Sequence, residues 1–208
     1  MRKILIIISL LMVLAPQVEA KKVDGKLVIG KDTMDVIFNI PFKLFGEEPN
    51  YEKLQYKVKY YNSIGNKITV IPDNAKEFWF TYEGEFVRML SRKNTIGLGS
   101  IFNVSSNIFL RLEMEGAVNL FNYYETRSSP GMYGGAGGAM VGGYSYGVDS
   151  YILQKGNGEL KKPKGLSFKK DMADYFSDCP ELAEKIEKKD FRKNDLEEIV
   201  RFYNSSCK

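Results

Sequence analysis

Hydrophobic and polar residues alternate along the first three quarters of this chain, from Lys26 to about Lys161. The segments 54–61 and 108–115 show the pattern clearly, because apolar side chains occupy every second position in each. A period of two is typical of β-strands that bury one face and expose the other. We therefore interpret both segments as strands and expect others between them.

Residues that favour tight turns separate these segments, and glycine or asparagine supplies the positive φ that hairpin turns need. The predicted turns are Gly30-Lys31-Asp32, Ile64-Gly65-Asn66, Glu83-Gly84, Glu115-Gly116 and Asn157-Gly158. Short strands joined by tight turns pair antiparallel. We therefore predict a mainly β fold: an antiparallel meander of about 8–10 strands, arranged as a barrel or a sandwich.

The pattern changes after Pro163, where apolar residues take helical spacing. Ser167 precedes the first such run, Asp178 with Glu181 has the spacing of a capping box, and Asn194 with Glu197 repeats it. About three short helices are therefore expected to end the chain. We divide it into a signal peptide (1–20), an antiparallel β domain (21–162) and a helical tail (163–208).

The N-terminal segment is typical of a cleavable secretory signal. Arg2 and Lys3 precede the apolar run Ile4–Leu14, and Ala20 is the small residue after which cleavage is expected. The run is too short for a membrane helix, which needs about 20 residues. We therefore expect export, with a mature chain from Lys21 that is periplasmic, outer-membrane-associated or extracellular.

Cys179 and Cys207 are the two cysteines of the chain. In an oxidising compartment they are expected to form one disulfide, which would tie the start of the second tail helix to the end of the third. In the chain-entropy model such a link adds about 3–4 kcal/mol to stability. Two free, buried thiols are the alternative.

A glycine-rich segment without charged residues runs from 128 to 148, between a strand predicted to end near Glu125 and another predicted to begin near Tyr151. We interpret it as a long, flexible hairpin loop. Its G-x-x-x-G spacings leave a membrane or self-association element as an alternative. Its apolar and aromatic residues form a candidate contact loop: Met132, Tyr133, Met140, Val141, Tyr144 and Tyr146.

Lysines crowd the junction between the β domain and the tail. They form a candidate patch for an anionic lipid or glycan surface: Lys161, Lys162, Lys164, Lys169 and Lys170. A solvated linker is the alternative interpretation. The net charge of +4 is too small to indicate a nucleic-acid partner, and none is predicted.

The chain contains no histidine. This excludes Ser-His-Asp and Cys-His nucleophile systems and histidine-ligated metal sites, so neither a metal nor another cofactor is expected. Glu113 and Glu115 would share a strand face about 6.6 Å apart, within the carboxylate separation of an inverting glycosidase. Their solvent-facing position argues against catalysis, and we assign no catalytic residue.

Two segments resemble uncharacterised exported proteins of Bacteroidota. One runs from Tyr60 to Phe78 and contains Pro-Asp-Asn-Ala-Lys-Glu-Phe; the other runs from Phe176 to Cys207 and contains Phe-Ser-Asp-Cys-Pro-Glu-Leu and Asp-Leu-Glu-Glu-Ile-Val. The resemblance implies a bacterium with two membranes and implies no activity.

These features together favour a non-enzymatic exported envelope protein that serves as a binding or structural module. Its ligand is unknown, and an envelope protein, a glycan or a membrane surface are the partners considered. Two alternatives remain open at this stage: an outer-membrane β-barrel and a carboxylate-based glycan hydrolase.

Overall fold

The computed structural model describes residues 20–43, 46–99, 105–129, 132–133, 140–141 and 145–207. The predicted signal peptide, apart from Ala20, lies outside the described residues. The strands within this part are β1 (Lys21–Ile29), β2 (Asp32–Ile40), β3 (Val58–Tyr61), β4 (Lys67–Val70), β5 (Glu77–Tyr82), β6 (Glu85–Lys93), β7 (Asn107–Met114), β8 (Val118–Ser128), β9 (Met132–Tyr133), β10 (Met140–Val141) and β11 (Ser145–Lys155). The helices are α1 (Tyr51–Leu54), α2 (Phe168–Tyr175), α3 (Pro180–Glu187) and α4 (Leu196–Ser206). Short 3-10 turns at Pro72–Asn74 and Lys193–Asp195 precede β5 and α4.

Nine of these strands form one antiparallel sheet in the order β11-β8-β7-β6-β5-β1-β2-β3-β4, and β9 pairs with β10 separately. The prediction of a mainly β, antiparallel fold followed by short helices is confirmed. The order departs from a simple meander at one point, because β5 pairs with β1 rather than with β4. The edges of this sheet are β4 and β11.

Four of the predicted turns join neighbouring strands, and Asn157-Gly158 leads from β11 to the isolated bridge between Leu153 and Lys161. Glu83 and Gly84 both have positive φ, of 50° and 83°, and connect the paired residues Tyr82 and Glu85. Two central residues with positive φ are what a type I′ hairpin turn requires. The turn chemistry read from the sequence therefore fixes the β5–β6 register.

The predicted strand across residues 54–61 is wrong in its first half. The side chain of Asn50 accepts a hydrogen bond from the backbone N–H of Lys53 at 3.0 Å and caps the single-turn helix α1. Strand β3 then begins only at Val58. A polar cap therefore overrides the alternation around Leu54 and Tyr56.

A β-bulge also interrupts the predicted alternation of β7. Leu112 pairs with Phe121, whereas Met114 pairs with Leu120, so the register shifts between them. A bulge inserts one extra residue and moves the following side chain to the other face. Met114 therefore leaves the face that carries Leu112.

Directly paired residues point to the same face, so the register defines two faces of the sheet. The front face is the one that carries Phe109, Arg111 and Tyr124, and the back face carries Leu110 and Phe121. One front-face core joins α1 to the first half of the sheet through buried side chains, among them Leu27, Phe38, Leu54, Phe78 and Phe109. Each such side chain contributes about 1.5–3 kcal/mol by leaving water.

A second front-face core joins the tail to β8 and β11, and a third lies on the back face. In the second, Val118, Leu120 and Leu153 pack against the three helices α2, α3 and α4. The tail therefore covers one end of the front face and α1 covers the other. The front face between them is left to polar side chains.

The sulfur atoms of Cys179 and Cys207 lie at disulfide distance, with the Cα atoms 5.5 Å apart. The predicted link between the start of α3 and the end of α4 is confirmed, since these cysteines flank the two helices.

The predicted capping boxes are wrong: Cys179 and Asp195 occupy the N-cap positions of α3 and α4. Asp178 instead accepts hydrogen bonds from Lys155 and Tyr203.

The β8–β11 hairpin is longer than predicted. Its pairing continues to Ser128 and Ser145, beyond the expected ends at Glu125 and Tyr151. The strands therefore extend into the segment that composition marks as a loop. The remainder of that segment, which was predicted to be flexible, lies largely outside the described residues.

Candidate functional site

Strands β7 and β8 separate after the pair formed by Arg111 and Asn122, and the fully buried Gln55 lies between them. Two positions further along, the same register would bring Phe109 opposite Tyr124. The backbone N–H of Phe109 donates to the carbonyl oxygen of Gln55 at 3.0 Å. The side chain of Gln55 donates to the carbonyl of Tyr124 at 2.8 Å and accepts from its N–H at 2.7 Å. Gln55 thus replaces one strand pair and anchors the end of α1 to both strands.

Asn204 of α4 makes the same kind of contact at the other end of β8. Its side chain accepts from the N–H of Val118 at 2.8 Å and donates to the carbonyl at 2.9 Å. A Cβ added to Gly116 would lie 2.4 Å from Nδ2 of Asn204. Gly116 was predicted as a turn residue needed for its φ, but here glycine is required for space.

A cleft of about 940 Å³, the Arg111 cleft, opens beside α1 at the ends of β8 and β11. Its lining residues are Lys43, Glu48, Asn50, Tyr51, Glu52, Glu85, Arg111, Asn122, Tyr124, Glu125, Thr126, Tyr146, Gly147, Val148 and Asp149. Most of them are polar or aromatic. Such convergence of polar groups in a concave site is typical of ligand-binding positions.

Arg111 links the groups on the cleft floor, and its side chain is only 14% exposed. Its guanidinium lies 4.7 Å from the ring centroid of Tyr51 and donates to the hydroxyl of Tyr124 at 3.3 Å. It also pairs with two carboxylates, Glu85 at 2.5 Å and Glu113 at 3.0 Å. The rings of Tyr51 and Tyr124 stack with centroids 4.9 Å apart.

The tyrosines of the floor keep their protons at neutral pH. Burial raises the pKa of Tyr124 to about 12, although the nearby charge of Arg111 acts in the opposite direction. Burial likewise raises the pKa of Tyr51. Both phenols are therefore hydrogen-bond donors rather than bases.

Carboxylates outnumber cations around the cleft. Arg111 is the ion-pair partner of both Glu85 and Glu113. Glu52 accepts hydrogen bonds from the backbone N–H and the hydroxyl of Thr126, at 3.0 and 2.6 Å. Asp149 is exposed at the cleft edge. The cleft therefore favours a cationic group.

Glu113 and Glu115 do not form the predicted pair on one face. The bulge of β7 falls at Glu113, which pairs with Arg111 of the front face. Glu115 instead pairs at 2.8 Å with Arg88, whose strand position places it on the back face. Burial raises the pKa of Glu113, and Arg111 opposes that change.

Residues of the predicted contact loop are distributed between two places. Met132 and Tyr133 in β9 pair with Val141 and Met140 in β10. Tyr144 lies outside the described residues. Tyr146 is 46% exposed on β11 and lines the Arg111 cleft.

The lysines of the predicted patch differ in their exposure and contacts. Lys162 pairs with Glu125 at 3.4 Å and lies 5.0 Å from the ring centroid of Tyr123. Lys161 is half-buried, where its backbone pairs with β11. The exposed members are Lys164, Lys169 and Lys170.

A second opening, an open groove of about 1120 Å³, crosses strands of the first half of the sheet. Among its lining residues, Ile37 is 44% and Phe86 is 58% exposed, and Trp79 lies between them on β5. The groove offers apolar and aromatic contact surface. None of the candidate site residues predicted from the sequence lines this groove.

Within the described residues there is no cluster of three or more potential metal ligands, and no helix has the length and apolar character to cross a membrane. No protein-family model, curated protein or solved structure matches this chain. Function is therefore inferred from the site itself.

Sequence reasoning did not identify Gln55, Tyr51, Arg111 or Asp149 as site residues. One available signal was Arg111, a charged residue within the otherwise apolar run Ile108–Leu112. A charge in such a run is buried only when it has partners. Three of those partners, Tyr51, Glu85 and Tyr124, come from other elements, which the local pattern does not show.

Proposed function

We propose that this chain is a non-enzymatic, exported envelope protein that binds a partner through the Arg111 cleft. The observation that supports the proposal is the convergence of Tyr51, Arg111, Tyr124 and Asp149 at one opening of about 940 Å³. This opening lies at the end of the hairpin that carries the predicted contact loop. Tyr146, which belongs to that predicted loop, lines the cleft.

A binding role fits the chemistry of the cleft better than catalysis. General base catalysis at neutral pH needs a group with a pKa near 7 and access to substrate. The pKa values of Tyr51 and Tyr124 are raised far above that range, and Glu85 and Glu113 are both paired with Arg111. These groups fix the shape of the cleft and offer hydrogen bonds to a bound partner.

Two features support an extracytoplasmic location. The predicted signal at residues 1–20 directs export, and a disulfide between Cys179 and Cys207 persists in oxidising compartments. Mass spectrometry of the protein recovered from the envelope tests this location. We expect an N-terminus at Lys21, and a native chain that still begins at Met1 would contradict export.

Site-directed photo-cross-linking in intact cells tests the binding site. A photoreactive amino acid at Tyr146 is expected to capture an envelope component, whereas the same group at Lys189, in the exposed turn after α3, is not. Asp149→Asn is expected to reduce capture at Tyr146, and Asp190→Asn is the matched control. Equal capture from both positions, or capture indifferent to Asp149, would remove the cleft as the binding site.

A further inference from the structure

Along the outer edge of β11, beside the Arg111 cleft, several backbone groups have no hydrogen-bond partner among the described residues. Leu153 exchanges two backbone hydrogen bonds with Lys161, both of 2.9 Å, so its backbone points away from β8. By the alternation of a strand, Tyr151, Asp149 and Gly147 direct their N–H and C=O groups the same way. No described residue bonds these groups.

This edge lacks the protection that the other edge has. Strand β4 has four residues and begins with Lys67, and short strands with a lysine discourage pairing with other chains. Strand β11 has eleven residues, and its segment 145–151 contains neither lysine nor proline. The open part of β11 is therefore suited to receive another strand.

The front side of this edge is acidic. Asp149 lies directly opposite Tyr124, next to the cleft, and the hydroxyl of Tyr151 bonds to Glu197 of α4. The pKa of Tyr151 is raised first by burial and then by the charges of Glu197, Glu113 and Asp149. All three carboxylates therefore act on the hydroxyl of Tyr151.

The back side of the same edge has no such excess of negative charge. Glu125, opposite Val148, is neutralised by Arg127 and by Lys162. Val148 and Ser150 themselves are uncharged. An added strand would therefore meet negative charge on one of its faces only.

From this geometry we infer that the β11 edge binds an extended basic polypeptide segment as an added strand. Lysine or arginine side chains at alternate positions point towards Asp149 and the Arg111 cleft, and uncharged side chains face Val148. Main-chain hydrogen bonds to Gly147 and Asp149 supply affinity, and the alternation supplies specificity. The inference rests on the proposed function and names the class of partner.

Binding of synthetic peptides to the purified mature protein tests the inference. The probe is a seven-residue peptide of alternating lysine and valine with blocked ends, measured by calorimetry at low salt. One control replaces lysine by glutamate, and another carries N-methyl groups on alternate backbone nitrogens to remove hydrogen-bond donors. We expect the lysine peptide to bind at least about tenfold more tightly than either control.

Variants of the edge sharpen this test. Asp149→Asn is expected to weaken binding of the lysine peptide about fivefold, as loss of one exposed charge pair predicts, and Asp174→Asn is expected to leave it unchanged. Gly147→Pro removes one edge N–H at a position where an added Cβ meets nothing within 4 Å. It is expected to abolish binding with the melting temperature retained, because edge strands tolerate proline.

Besides a complete lack of peptide binding, three outcomes would overturn the inference. The first is equal binding of lysine and glutamate peptides, and the second is indifference to N-methylation. The third is a dimer of the protein that Gly147→Pro dissociates, since the edge would then hold a second copy. If no peptide binds while capture at Tyr146 still depends on Asp149, the proposed function stands and only the strand-addition inference fails.

Discussion

The side-chain amide of Gln55 makes both of the backbone hydrogen bonds of Tyr124 that a neighbouring strand would otherwise make. This contact spans 69 residues of sequence and holds β7 and β8 apart where the Arg111 cleft opens. The fork between the strands therefore depends on one buried polar side chain.

We expect Gln55→Met to lower the free energy of unfolding by about 2–4 kcal/mol. Methionine fills a similar volume but leaves the N–H and the carbonyl of Tyr124 without partners in the protein interior. Urea unfolding measures the effect, and Asn74→Met, at an exposed position, is the control. A loss no larger than that of the control would show that the amide contact contributes nothing.

Gly116→Ala and Asn204→Ala are each expected to destabilise the protein, and the two effects should not add. The alanine methyl at position 116 occupies the space of the Asn204 amide, so shortening Asn204 removes the clash. A double-mutant cycle in urea is expected to give a coupling of about 0.5–3 kcal/mol. Additive effects would place the strain elsewhere.

Acid is expected to loosen the attachment of the tail through Asp178. Burial tends to raise the pKa of this carboxyl, but hydrogen bonds from Lys155 and Tyr203 together lower it below the ordinary value of 3.8. A pKa lowered by folding contributes stability above the unfolded-state value, and that contribution is lost as the pH falls through the folded-state value. Stability should therefore decline as the pH drops below about 4.

Asp178→Asn tests this pH dependence. The variant is expected to be less stable at pH 7 and to lose less stability than the native protein between pH 4 and pH 2, because asparagine does not titrate. Thermal unfolding across this range measures the difference, and Asp190→Asn, also in the tail, is the control. An unchanged acid slope in Asp178→Asn would remove the carboxylate from this role.

Alkylation of the denatured protein without reduction is expected to label neither Cys179 nor Cys207, since the structure places their sulfurs at disulfide distance. Cys207→Ser should then speed hydrogen exchange in α4 and leave exchange in β1 and β2 unchanged. The reason is that the closed loop contains only the tail. Two labelled thiols would show that packing alone holds α4.

The sequence by itself determined the parts of this protein that depend on neighbouring residues. The period of two predicts the strands, Glu83-Gly84 predicts the turn between β5 and β6, and the change of period after Pro163 predicts the tail helices. The pairing of Cys179 with Cys207 follows from counting two cysteines in a chain that is predicted to be exported. Each of these inferences needs only local conformational preferences or a short list of partners.

The tertiary structure alone decided where the candidate site lies. The bulge of β7, the fork at Gln55 and the contact of Asn204 with Val118 depend on residues up to 86 positions apart. A single glutamine in an alternating segment has the same local pattern whether it faces water or replaces a strand pair. Its role is set by which long-range partners satisfy its hydrogen bonds, and folding brings those partners together.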